Sequence, residues 1–224
     1  IPLLAVKSRR ISKTEWSFDF GLLDRFVEKF LSVGNFRRIA IRALLDSLTG
    51  ENIHSFDEQG NALNIPLRTD EGTAFANQIT KALYSYFTEK GYKDMLLMHI
   101  EDEPHESDNW KFMREIVRKN MPDIPCGEPI DEYDSCIELK GFCDEFIPRV
   151  DIFEMAKGYF KARQTAGDKL WCYTCCFPLP EWDEYMNKFI DQPSRYSRML
   201  YWTAFANDIT GYLHWGFNYW GNEE

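Results

Sequence analysis

Short apolar runs alternate with longer amphipathic ones along the whole chain, the pattern left by parallel strands joined through helices. The strand candidates are Leu3 to Lys7, Arg38 to Leu45, Met95 to Ile100, Ile124 to Glu128, Val150 to Met155, Leu170 to Cys175 and Gly211 to Phe217. The first helix runs from about Gly21 to Val33, with Leu22, Phe26, Phe30 and Val33 as its apolar face and Gly34 as its stop. Thr69 or Asp70 caps the next, where Phe75, Ile79, Leu83, Tyr86 and Phe87 form a buried stripe up to about Lys90. Ser107 or Asp108 caps a third, with Phe112, Ile116 and Val117 facing inward. A shorter helix occupies Lys157 to Gln164, and another runs from Pro193 to Ala206 with Met199, Leu200 and Trp202 near its core side. Asp46 to Arg68 contains Gly50, Gly60 and Pro66 with little periodicity and reads as a long loop after a strand, a position that commonly serves a site.

Such alternation leaves two architectures, an open doubly wound sheet or a closed eightfold barrel. No glycine-rich phosphate loop supports the first. About seven strands, with no opening strand before Ile1 and no closing helix after Glu224, predict an α/β fold of the (β/α)8 TIM-barrel type that lacks its first strand and last helix. Residues 1–224 are then one barrel domain, a fragment of a longer protein, with His99 on the fourth strand and Tyr173 on the seventh.

A composition 44% hydrophobic and 16% aromatic can bury a substantial core. The 26 basic residues stand against 36 acidic ones, a net charge of −10, which repels a phosphate backbone or an anionic bilayer. The most basic stretch, Lys7 to Lys13, reads as a solvated loop. No run approaches the roughly 18 apolar residues of a membrane span. Neither nucleic acid nor membrane is therefore expected as a partner. The chain opens Ile-Pro-Leu-Leu, with neither a Met nor signal-peptide features, so its compartment is not legible.

Of the six cysteines, Cys126, Cys136, Cys143, Cys172, Cys175 and Cys176, three fall in one strand without the second ligand pair a tetrahedral metal needs. They read as small apolar residues; a redox pair at Cys172 and Cys175 would lack the helix N-terminus that activates such thiols. No metal and no cofactor are expected.

The segment richest in chemistry is Met95-Leu-Leu-Met-His-Ile-Glu-Asp-Glu-Pro-His105, an apolar strand that ends in three acids and a proline. Carboxylates are thereby placed at a strand's C-terminal end, where barrel enzymes keep their reacting groups. The alternative is a solvated acidic loop capping the next helix. Sugar hydrolysis needs an acid to protonate the leaving oxygen and a group to stabilise the cationic ring carbon, commonly a second carboxylate on another strand. Adjacent acids suit another division of labour: the substrate's 2-acetamido oxygen attacks, one carboxylate holds the acetamido N–H, and its neighbour donates the proton. The strand Leu170-Trp-Cys-Tyr-Thr-Cys-Cys176 offers no acid as a conventional nucleophile, whereas Glu128 and Glu154, near other strand ends, keep that alternative open.

Three motifs, His99-Ile-Glu-Asp-Glu-Pro104, Trp171-Cys-Tyr-Thr-Cys-Cys176 and Gly211-Tyr-Leu-His-Trp-Gly-Phe-Asn-Tyr-Trp220, in this order, resemble the catalytic domain of glycoside hydrolase family 123 and its uncharacterised bacterial relatives. The resemblance implies retaining, substrate-assisted cleavage of terminal β-linked N-acetylgalactosamine. Asp102 would then orient and polarise the acetamido group, Glu103 would be general acid and then base, and Tyr173 would hydrogen-bond the acetamido carbonyl. Trp171, Trp215, Asn218 and Trp220 are candidates for holding the sugar's flat face and a hydroxyl, with His99 beside them; each Trp alone is as readily a core residue, Tyr173 has a buried-core alternative, and His99 and His214, inside their strands, are more often core residues than participants. The resemblance also implies a glycan or glycoside substrate, an upstream β-sandwich domain in the parent protein, and a bacterial cell-envelope, secreted or cytoplasmic setting. The other readings are a carbohydrate-binding or structural module without activity, and a conventional two-carboxylate retaining glycosidase.

Overall fold

The computed structural model describes residues 5–42, 44–46, 49–105, 107–181 and 185–214. The chain divides into two compact units, Ile1–Glu128 with Gly141–Cys143, and Pro129–Lys140 with Asp144–Glu224.

The first unit opens with an antiparallel hairpin of β1 (Lys7–Ser12) and β2 (Glu15–Asp19), followed by α1 (Gly21–Val33) and β3 (Ile39–Ile41). A second hairpin, β4 (Asn52–Phe56) and β5 (Ala62–Pro66), joins the first through parallel pairing of β1 with β4, which gives a four-stranded sheet in the order β2-β1-β4-β5. Next come α2 (Asp70–Glu89), β6 (Leu96–Met98) and α3 (Ser107–Asn120). β6 runs parallel to β3, with Ile39 opposite Leu96 and Ile41 opposite Met98, and Met98 also bridges to Cys126.

Helix α2 forms where the pattern expects it. The Thr69 hydroxyl accepts the Gly72 N–H at 3.0 Å, satisfying one of the donors that a helix start leaves open. Phe75, Ile79, Leu83 and Phe87 are fully buried, and the rings of Trp16 and Phe18 meet Phe75 edge-on at 4.9 and 5.6 Å. Buried Asn120 ties α3 to α2 by donating to the Thr80 hydroxyl at 2.9 Å and to the Asn77 side-chain oxygen at 3.1 Å. At Gly72 a β-carbon would fall 2.0 Å from the Pro66 carbonyl oxygen. Gly72→Ala must push backbone away from backbone, so a loss of about 1–3 kcal/mol is expected in urea unfolding; unchanged stability would mean that the end of β5 and the start of α2 do not pack this closely.

In the second unit β7 (Gly127–Ile130, beginning two residues upstream of it) leads to α4 (Tyr133–Glu138), β8 (Glu145–Pro148), α5 (Val150–Met155), α6 (Lys157–Thr165), β9 (Lys169–Tyr173), α7 (Ser194–Ala206) and β10 (Gly211–Leu213). The strand order is β10-β9-β8-β7; Gly211 lies parallel opposite Trp171 and Glu145 opposite Lys169. Phe146, Phe153 and Phe160 are buried at its centre.

The fold is therefore α/β, as the alternation predicts, but among the described residues the strands lie in three open sheets and not in one closed ring. Several local expectations are corrected. The long loop expected over Asp46 to Arg68 contains β4 and β5; their one-faced alternation, with Ile53 and Ile65 buried, is too short to stand out from polar neighbours. The basic stretch expected as a solvated loop is strand β1, and the expected strand at Leu3 to Lys7 only meets it at Lys7, residues 1–4 lying outside the description. Val150 to Met155 is helix α5, because six residues cannot separate a period of 2 from one of 3.6; the strand is the four-residue, fully buried β8 just before it. On α1 the buried residues are Leu23 and Val27, while Leu22, Phe26, Phe30 and Val33 are exposed and partly shielded by the Phe26–Phe30 stack and the Phe30–Phe36 contact. On α7 Leu200 is buried, but Met199 and Trp202 are exposed.

Candidate active site

The buried strand β6 delivers the acids. Beyond it the His99 N–H donates to the Ile41 carbonyl at 3.1 Å, the Ile100 carbonyl accepts the Leu45 N–H at 2.8 Å, and the Ile100 N–H donates to Glu128 Oε1 at 2.7 Å. The chain emerges from this clamp at buried Glu101, half-buried Asp102 and Glu103, and buried Pro104. Glu103 has φ of 54°, a left-handed conformation that costs a residue with a β-carbon about 1–2 kcal/mol and that concentrates at functional positions.

Behind Asp102 stands a row of charges. Arg42, the residue after β3, donates Nη2 to Asp102 Oδ2. His99 faces Asp102 Oδ1 with Nε2 at 3.7 Å and Glu128 Oε2 with Nδ1 at 2.6 Å. Burial alone would hold His99 neutral, but the Glu128 charge and the Asp102 contact outweigh it and push the imidazole up to about 9. Burial likewise disfavours the Asp102 anion; His99 and Arg42 overcome it and hold the carboxyl below its ordinary range. The two directions agree on a charged imidazole between two carboxylates.

The loop after β3 closes against the same strand end. Asp46 accepts the Thr49 N–H and hydroxyl at 2.9 Å each and the Asn52 N–H at 2.8 Å, forming a turn. That turn carries Gly50 at φ 61°, where a β-carbon would come within 2.9 Å of a Glu101 carboxylate oxygen.

A raised histidine sets a sign for stability. His99 contributes fully below its ordinary 6.5, and the contribution is lost as pH rises through about 9; Asp102, lowered, contributes above 3.8 and loses its share as pH falls below that. Urea midpoints should therefore decline between about pH 7 and pH 10, and His99→Gln should remove that part of the decline. A variant with the same alkaline slope as the parent would show that His99 is uncharged at neutrality.

In the second unit Tyr173 is buried at the end of β9, bridged to Arg149. Arg149 is held by Asp151 at 2.7 and 2.9 Å and lies over the Phe177 ring. Trp171, two residues before Tyr173 and on the same side, is half-buried with its indole against Gly211. Trp215, Asn218 and Trp220 lie outside the described residues.

Of the two alternative carboxylates, Glu128 is fully buried and committed to Ile100 and His99. Glu154 sits on helix α5 and not at a strand end; it is exposed, binds Lys157 at 3.2 Å, and borders a cavity of about 400 Å³ lined mainly by apolar side chains such as Phe153, Leu200 and Ala204. The Cys172 thiol is buried and pushed up to about 12, far from a reactive thiolate. Among the described residues no cluster of three His, Cys, Asp or Glu could hold a metal, and no helix is long and apolar enough to cross a membrane.

Sequence reading missed Arg42, because Arg38 to Leu45 looked like one continuous strand; its ending at Ile41 turns Arg42 into a strand-end cation beside the strand-end acids of β6. It also missed that His99 and Glu128 form one unit.

Acids presented at the end of a buried parallel strand stand where α/β enzymes keep their reacting groups. Comparison with family models makes the class specific. The glycoside hydrolase 123 catalytic-domain model matches residues 6–224, and the chain belongs to that family. Among solved structures it is similar to a family 123 glycoside hydrolase from Clostridium perfringens, analysed for glycolipid glycan hydrolysis, at a TM-score of 0.71 and 18% identity over 95% of this chain. The chain spans 38% of the length of that protein. None of the curated proteins gives a significant match.

Proposed function

We propose that this chain is a retaining β-N-acetylhexosaminidase of the β-N-acetylgalactosaminidase kind, cleaving glycosides with assistance from the substrate's own 2-acetamido group. The observation that carries the reading is Asp102, kept anionic between His99 and Arg42 and followed directly by Glu103 in a left-handed backbone conformation. An anion suits a group that must accept the acetamido N–H and compensate the positive charge developing on the amide.

In the first step the acetamido carbonyl oxygen bonds to the anomeric carbon, the bond to the leaving oxygen breaks, and Glu103 gives that oxygen its proton. Asp102 holds the amide N–H through the oxazolinium stage. In the second step Glu103 takes a proton from water, the water oxygen bonds to the anomeric carbon, and the acetamide is released with net retention. By the family resemblance Tyr173 hydrogen-bonds the attacking carbonyl, and Trp171, Trp215, Asn218 and Trp220 hold the sugar. His99 belongs to the same proposal from behind Asp102. The parallel strands β3, β6, β7, β8, β9 and β10 are read as staves of a (β/α)8-type frame, with residues 1–224 as one catalytic domain.

Paired aryl β-galactosides, one with the 2-acetamide and one with a 2-hydroxyl, test this directly. Cleavage of the first without the second is expected. Equal turnover of both would point to a protein nucleophile, and binding of the acetamido sugar without product to a non-catalytic module.

A further inference from the structure

We propose that Glu128 and His99 form a buried positioning relay behind Asp102, which fixes that carboxylate as an anion in one orientation for the acetamido N–H; the proposal rests on the acetamide-assisted reading. The relay begins at a carboxylate with no exposure at all. Glu128 Oε1 is occupied by the Ile100 N–H at 2.7 Å, which sets the carboxylate plane, and Oε2 lies 2.6 Å from His99 Nδ1 as an ion pair that is not aligned as a hydrogen bond. The other ring nitrogen lies 3.7 Å from Asp102 Oδ1, close enough for an ion pair and longer than a hydrogen bond.

Structural need alone is a poor account of this arrangement. A fully buried carboxylate costs several kcal/mol in desolvation, and apolar side chains of similar volume are often as stable. Glu128, His99, Asp102 and Arg42 carry alternating charges that sum to zero, so the anion at Asp102 is compensated within the group. Arg42 could not supply this orientation by itself, because its side chain is 51% exposed and free to exchange Asp102 for water. The groups facing His99 are Glu128 from β7 and Asp102 from its own segment, with Arg42 beyond Asp102. Glu128 supplies the larger of the two influences that raise His99, so its removal has a defined consequence.

Glu128→Gln keeps the acceptor for Ile100 and removes the charge. Imidazole nitrogen NMR resolves the four histidines, with His99→Gln for assignment. In the parent protein His99 should stay protonated through neutrality, with a midpoint near 9, and in Glu128→Gln that midpoint should fall by about one pH unit or more. With an aryl 2-acetamido-β-galactoside, Glu128→Gln should lower kcat about 10- to 100-fold with a smaller change in KM, and Glu128→Asp should partly restore it. A neutral His99 in the parent protein at pH 7 overturns the relay without any variant having to fold. So does a folded Glu128→Gln with parental kcat. A parent protein that cleaves no acetamido glycoside while His99 titrates near 9 overturns the hexosaminidase reading and leaves the relay as a charge network of some other reaction.

Discussion

Glu103→Gln is expected to lower kcat about 10²–10⁴-fold on an alkyl or glycosyl 2-acetamido-β-galactoside, the range for loss of a positioned general acid. The amide keeps the size and much of the hydrogen bonding of the acid but has no proton to give. The loss should therefore track the leaving group: largest where the departing oxygen is a poor leaving group, and much smaller for a dinitrophenolate that departs without protonation. KM should change little, since the proton moves only as the bond breaks. The left-handed backbone at Glu103 bears on the control. Gln needs the same conformation at the same cost, so the variant should melt with the parent protein. Full activity on an alkyl glycoside, in a variant that melts normally, would assign the proton to another residue.

Asp102→Asn is expected to cost about 10²–10³-fold in kcat, comparable to removing a preorganised electrostatic partner from a reacting charge. Two effects add. The substrate amide loses its anionic acceptor, and the row Glu128–His99–Asp102–Arg42 passes from zero net charge to +1, so the His99 and Arg42 cations face each other without a carboxylate between them. The asparagine oxygen can still accept one hydrogen bond, but its amide can also turn an N–H toward the substrate. The His99 midpoint should fall as well, because Asp102 is one of the two carboxylates that raise it. A near-parental rate with an unchanged His99 midpoint would remove Asp102 from both the proposed reaction and the charge row. The effect on stability is expected to be small, since Asp102 and Arg42 are partly exposed and water screens the lost pair.

The legible parts of this protein share one property, that their causes lie within a few residues of one another. Thr69 caps α2 three residues before the N–H it accepts, and the stripe of Phe75, Ile79, Leu83 and Phe87 repeats every four residues. The run from Leu96 to Pro104 names its own function as a strand end: apolar residues must be buried, acids must leave the core, and proline ends the pairing. The hairpins β1–β2 and β4–β5 were not legible, because polar strands with one buried face carry a weak alternation whose meaning depends on what covers them. Helix α1 misled for the same reason, since periodicity identifies an apolar stripe but not the partner that meets it.

The sequence by itself determined the α/β class, the principal helices and the presentation of Asp102 and Glu103 at the end of a buried strand. Tertiary structure alone decided that Arg42, sixty residues away, reaches Asp102, and that Glu128 closes on His99 from β7. The physical reason is distance along the chain: burial and helix geometry act over a turn or a strand and leave a periodic mark in the residues. A charge acts on whatever the fold brings within a few ångströms, and no local pattern records it.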